Sequence, residues 1–227
     1  MIPWSLLDKA SIPGSSKELF LYQRDQEYSI KINTDELMSS RAHHSEDALA
    51  QLACPKSQLQ KDKRILIGGL GMGFTLKCAL NNLSPHTRVT MAELMPAVVK
   101  WNRSFLASLA GNPLDDKRVT VYEGDVADKI VKVRDCYDAI ILDVDNGPQA
   151  LTQKKNNSLY TLTGLKLSYN ALRSGGVLAI WSAGPDGAFV KRLCKVQFNV
   201  EETRMRTHKG RKGDGSSIVW IAKKGGA

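Results

Sequence analysis

Three glycines at alternate positions, Gly69-Leu-Gly71-Met-Gly73, follow the apolar run Arg64-Ile-Leu-Ile67 and precede a helical pattern reaching about Asn82. A glycine turn between strand and helix lets backbone approach a ligand, because glycine accepts φ > 0 and has no Cβ in the way. A dinucleotide fingerprint needs G-x-G-x-x-G, and Phe74 stands where its third glycine would fall, so the spacing favours an adenosyl-type ligand over NAD. A tight turn with no ligand is the structural alternative. Glu93 ends the next apolar run, 20 residues past Gly73, where a carboxylate can accept both ribose hydroxyl protons. Gly124-Asp125 ends the third, where Asp125 can take the adenine exocyclic amine, cap the following helix, or do both. The fourth ends in Asp143-Val-Asp145-Asn-Gly-Pro148. Two acids there can bind a cationic group and take up a proton as a general base. Asp-Asn-Gly-Pro is also strong turn chemistry, so Asp143 and Asp145 can equally shape a loop. His43 and His44 precede a helix start and could serve as a base or as a polar helix end.

These residues need a frame that brings strand ends together. From Arg64 the chain alternates short apolar runs with helical patterns. Strands are expected at Arg64–Ile67, Thr87–Glu93, Val119–Glu123, Tyr137–Asp143 and Val177–Ser182, and helices from the glycine turn to Asn82 and over about Ala97–Ala110, Val126–Val133, Leu159–Leu172 and Gly187–Lys195. Such alternation implies a parallel sheet covered on both faces, with ligands beyond its carboxyl edge. Val196–Arg206 and Ser217–Lys223 read as two strands with no helix between them, joined by the loop Thr207–Ser216. A parallel sheet closed by an antiparallel pair is the layout of class I S-adenosylmethionine-dependent methyltransferases. Before it, Glu18 to Asn33 reads as two strands turning at Arg24-Asp25-Gln26, with Tyr28, Ile30 and Ile32 recurring every second residue. Ser45 is expected to cap a helix over about 46–54. The fold class is α/β, a Rossmann-like doubly wound sheet, mainly parallel with a C-terminal antiparallel hairpin. Residues 1–55 form a small N-terminal β-hairpin and helix segment, and residues 56–227 the ligand-binding domain.

The whole chain has 227 residues, 42% apolar and 24% charged, which excludes wholesale disorder and fibrous architectures. No apolar run reaches the ~18–20 residues that span a bilayer, and the amino terminus lacks the pattern of a signal peptide. Cys54, Cys78, Cys136 and Cys194 are scattered without metal-ligand spacing, which predicts reduced thiols, a cytoplasmic setting and no metal. Formal net charge is +9, of which residues 186–227 hold +6. That excess invites a nucleic-acid reading through His208-Lys-Gly-Arg-Lys-Gly213, or a solvated hairpin tip. Trp4, Trp101, Trp181 and Trp220 read as core or edge aromatics.

The run from Arg64 to about Ser182 resembles the spermidine synthase family of aminopropyltransferases. The likeness lies in Ile65-Leu-Ile-Gly-Gly69, Glu93, Val119–Asp125, Tyr137-Asp-Ala-Ile-Ile-Leu-Asp143, Gly147-Pro148, and Leu159-Tyr160 ahead of Gly175-Gly176-Val-Leu. The front end, with Ser45-Glu46, resembles that family in reduced form. The resemblance implies a Rossmann-like domain that binds decarboxylated S-adenosylmethionine, or S-adenosylmethionine or a related thionucleoside, through Gly69, Gly71, Gly73, Glu93 and Asp125. It implies catalysis by Asp143 with Asp145, acceptor binding by Glu46, a small amine or polyamine as acceptor, and a homodimer as a compatible state. The chain departs from the family at Gly71, where an aspartate usually holds the aminopropyl ammonium. Thr34-Asp-Glu-Leu-Met-Ser39 lacks the usual glutamine, His44-Ser45-Glu46 replaces Tyr-His-Glu, and the loop after Asp143 is short. Aminopropyl and methyl transfer both stay open, as do a nucleic-acid methyltransferase and a nucleoside-binding homologue without turnover.

Overall fold

A computed structural model describes residues 2–13, 15–55, 62–144, 158–206 and 216–226. Asp145, the Gly147-Pro148 pair and the loop 207–215 lie outside these described residues.

The chain opens with four antiparallel strands in sequential order, β1 (Ser5–Ser11), β2 (Glu18–Arg24), β3 (Glu27–Ile32) and β4 (Asp35–Ser39). β2 and β3 are the two expected strands. The flanking β1 and β4 escape sequence reading because neither carries the apolar alternation of a half-buried strand: neither buries a residue fully, and both are held by backbone pairing at the sheet edges. α1 (His44–Ala53) follows. Its N-cap is His43, with no side-chain cap, and Ser45 donates instead to Glu46 Oε2 at 2.6 Å. The expected Ser45 cap is thus wrong by two residues, since its hydroxyl lies already inside the first turn.

The larger sheet has seven strands in the order β10-β11-β9-β8-β5-β6-β7. β5 (Arg64–Gly68), β6 (Arg88–Glu93), β7 (Val119–Glu123), β8 (Tyr137–Leu142) and β9 (Leu172–Ser182) are parallel. β10 (Phe198–Arg206) and β11 (Ser216–Lys224) form the expected antiparallel pair, β11 lying against β9. The crossover helices are α2 (Phe74–Asn82), α3 (Pro96–Asn102), α4 (Ala127–Val131), α5 (Leu162–Ala171) and α6 (Gly187–Lys195). Strand residues alternate between two cores. Ile65, Ile67, Val219 and Ile221 face one, while Leu66, Ile218, Trp220 and Ala222 face the other. The inner face of the small sheet, with Leu19, Leu21, Ile30 and Ile32, joins the first core together with α1, α2 and α3.

Helices α4 and α5 are shorter than expected, and two boundaries differ more. β9 starts at Leu172, before Gly175-Gly176, because a register shift between Tyr137 and Ala139 absorbs the extra residues. α3 stops at Asn102, well short of residue 110. Trp101 and Leu106 are both fully buried, and five residues apart on a continuing helix they would point roughly 140° apart. The chain turns instead, with Leu106 N–H donating to the Trp101 carbonyl at 2.8 Å.

Candidate active site

The strand order β7-β6-β5-β8 sets the four candidate loops side by side. Backbone bonds stitch them just past the strand ends: Gly124 N–H to the Glu93 carbonyl, Gly69 N–H to that of Ala92, and Asp143 N–H to that of Gly68, each at 2.8–2.9 Å. β5 is the point where the order reverses, with β6 on one side and β8 on the other, which is where open α/β sheets bind ligands.

Gly69, Gly71 and Gly73 have φ of +89°, +52° and +86°. At Gly69 the requirement is absolute, because a Cβ would lie 2.1 Å from the Asp143 carbonyl oxygen. At Gly71 it would lie 2.9 Å from the Met38 sulfur, so β4 reaches over the loop. Asn102 holds the loop from α3, its Nδ2 donating to the Gly71 carbonyl at 2.8 Å. Glu93 is 8% exposed and accepts from Leu70 N–H through Oε2 and from Met95 N–H through Oε1, both at 2.8 Å. A carboxylate oxygen can accept more than one hydrogen bond. Asp125 accepts from Ala127 N–H at 2.9 Å, which turns the chain into α4.

Past β8, Asp143 Oδ2 accepts from the hydroxyl of Thr75, in the first turn of α2, at 2.6 Å. Burial first, then the nearby Glu46 carboxylate, push Asp143 up to about 7, and the Thr75 bond pulls it back in part. Burial also raises Glu46, against the Ser45 hydrogen bond. Two carboxyls that cannot both be comfortably charged therefore share one end of the site.

Gly69, Gly71, Thr75, Glu46, Glu93, Asp125 and Asp143 line one cavity of about 350 Å³, a size suited to a small ligand. Its described wall carries five carboxylates, Glu36, Glu46, Glu93, Asp125 and Asp143, and no lysine, arginine or histidine. The rest is mostly apolar, apart from the hydroxyls of Ser39, Ser45 and Thr75, with Leu70, Met95 and Val126 near the expected nucleoside end and Met38, Phe74 and Trp181 elsewhere. Among the described residues no His, Cys, Asp and Glu group is arranged to hold a metal ion, and no helix is long and apolar enough to cross a membrane.

A family profile described as the spermine/spermidine synthase domain matches residues 46–197, most of this frame. The chain belongs to that family. The polyamine aminopropyltransferase of Prochlorococcus marinus strain MIT 9515 is 29% identical over 154 residues, 65% of this chain and 52% of that protein. That of Shewanella oneidensis is 30% identical over 195 residues, 77% of this chain and 33% of that protein. The chain spans about half the length of the first of these, and about a third of the second. Two crystallised spermidine synthases share the fold at 18% identity, covering 97% of this chain and 72% of theirs. One is a complex with the transition-state analogue AdoDATO (TM-score 0.74), and the other is from Thermotoga maritima (TM-score 0.70).

Within this spermidine synthase-family frame, Gly69, Gly71, Glu93, Asp125, Asp143 and Glu46 come together at one cavity. Gly73 caps α2 just behind the loop, and Asp145 lies outside the described residues. His43 does not reach the cavity wall: its ring stacks on Phe74 at 4.2 Å and its Nδ1 lies 2.8 Å from Asp47. Trp101 and Trp220 are core residues and Trp4 sits under Arg24, but Trp181 lines the cavity, against expectation. Sequence reading missed Glu36 and Met38, which sit on the unrecognised β4. It also missed Thr75, whose one signal is a hydroxyl two residues past Gly73.

Proposed function

We propose that this chain is a spermidine synthase-like aminopropyltransferase that takes decarboxylated S-adenosylmethionine as donor and a small amine or polyamine as acceptor. The observation that carries this reading is that every charged residue on the described cavity wall is a carboxylate, in a chain of net charge +9. Low-dielectric walls strengthen such a field, and it selects cations. The decarboxylated donor carries a sulfonium and an ammonium and no carboxylate, whereas S-adenosylmethionine brings an anionic group into the acidic site. A phosphate backbone is repelled for the same reason, so the cavity disfavours the nucleic-acid reading.

In this reading Asp125 takes the adenine amine, Glu93 the ribose hydroxyls, and the Gly69–Gly73 turn lies under the 5′ carbon and sulfonium. Adenine over β7 and ribose over β6 direct the sulfonium toward β5 and β8, where Asp143 stands. Glu46 and Asp143 draw in the protonated acceptor, with Asp145 contributing to the same step. Asp143 then takes one ammonium proton, which its raised pKa favours near neutral pH. The freed nitrogen lone pair attacks the propyl carbon bonded to sulfur, the C–S bond breaks, and methylthioadenosine leaves as a neutral thioether. Residues 1–55 roof the site and residues 56–227 carry the donor.

Incubation with decarboxylated S-adenosylmethionine and putrescine should release methylthioadenosine, and Asp143→Asn should lower the rate at least ~100-fold. S-adenosylhomocysteine formed from S-adenosylmethionine would make the enzyme a methyltransferase. No product from either donor would remove the transferase reading.

A further inference from the structure

The geometry points to Thr75 as a positioning residue that fixes the carboxylate of Asp143, so that Oδ1 is the oxygen turned to the acceptor. This rests on the role proposed above for Asp143 and adds a group that neither the glycine spacing nor the carboxylate pattern identifies. Thr75 is 2% exposed, sits in the first turn of α2, and donates to Asp143 Oδ2 at 2.6 Å. The backbone of Asp143 is pinned as well, by its N–H on the Gly68 carbonyl and by its own carbonyl against Gly69. With main chain and Oδ2 both held, the carboxylate has little freedom left to rotate. In the transfer step the acceptor ammonium gives one proton to Oδ1, the nitrogen pair forms the new C–N bond, and the C–S electrons leave with the thioether. Thr75 keeps its bond to Oδ2 throughout and exchanges no proton.

The hydroxyl also opposes the other influences on Asp143. Glu46 faces it from α1, with His43 and Asp47 beside Glu46 on the same helix, and Glu93 and Asp125 line the cavity from β6 and the turn after β7. Burial and the Glu46 carboxylate favour the protonated acid, while the hydrogen bond donated by Thr75 favours the anion. Removing it should make Asp143 a carboxyl that is protonated over more of the neutral range and less able to accept a proton.

The test is a pH titration of the Asp143 side-chain carboxyl by carbon NMR in the ligand-free full chain, the resonance assigned by its loss in Asp143→Asn. Thr75→Val should move the midpoint up by about one pH unit, a tenfold change in ionisation. Thr75→Ser should restore the wild-type midpoint, and Thr75→Ala reads the same upward shift if the valine variant does not fold. With decarboxylated S-adenosylmethionine and putrescine, the acidic limb of kcat/KM should move by the same interval. An unmoved midpoint in Thr75→Val, or a serine variant that shifts like valine, overturns the assignment. A wild-type chain without turnover sinks the proposed reaction but leaves the NMR midpoint to decide on Thr75.

Discussion

Asp143 is a carboxyl whose neighbours make it hard to ionise, and this has a consequence for stability separate from catalysis. An unfolded aspartate releases its proton near 3.9, whereas burial and Glu46 hold the folded group protonated up to about 7. Between those limits the folded chain binds more protons than the unfolded one, so stability falls as pH rises. The ligand-free protein should therefore melt lower at pH 8 than at pH 5. Asp143→Asn, which cannot ionise, should flatten that slope and melt above the wild type at pH 8, at the expense of turnover. Equal slopes for the two proteins, measured by thermal unfolding across that range, would show that Asp143 titrates normally. Asp143 and Glu93 are legible in sequence because each ends an apolar run. Their environments are not, since Thr75 and Glu46 are remote from Asp143 along the chain and meet it only in the fold.

At the scale of elements, the turn from β5 to α2 is built on Asp143 as much as on its own glycines. Gly69 combines a φ of +89° with a missing Cβ whose place lies 2.1 Å from the Asp143 carbonyl. Gly69→Ala should cost about 2 kcal/mol or more, from backbone strain together with the displaced strand end, and should abolish donor binding. Thermal melting and calorimetry check the two effects separately; an alanine variant that binds donor like the wild type would mean the loop can be rebuilt. The strand-turn-helix pattern here is local, so β5, α2 and α6 agree closely with expectation. β1 and β4 were not legible because pairing with a neighbour, rather than their own apolar pattern, makes them strands. Since β4 carries Glu36 and Met38, that part of the cavity wall went unread with it.

Across the whole molecule the charge is sorted, with an acidic cavity inside a basic chain. Decarboxylated S-adenosylmethionine should bind at least ~10-fold more tightly than S-adenosylmethionine, and its affinity should weaken with added salt as the cavity field is screened. Calorimetry at two ionic strengths reads both effects, and equal affinity for the two donors would show that the carboxylates are spent on the protein itself. By itself the sequence determined the α/β class, the seven strands of the main sheet, the glycine turn and the acids at successive strand ends, because these follow from short-range periodicity and turn chemistry. Only the tertiary structure decided that Met38 and Glu36 roof the site, that Glu46 and Thr75 act on Asp143 from opposite directions, and that no described cation lines the cavity. Those facts depend on strand order and on contacts between segments distant in the chain, which composition and spacing do not encode.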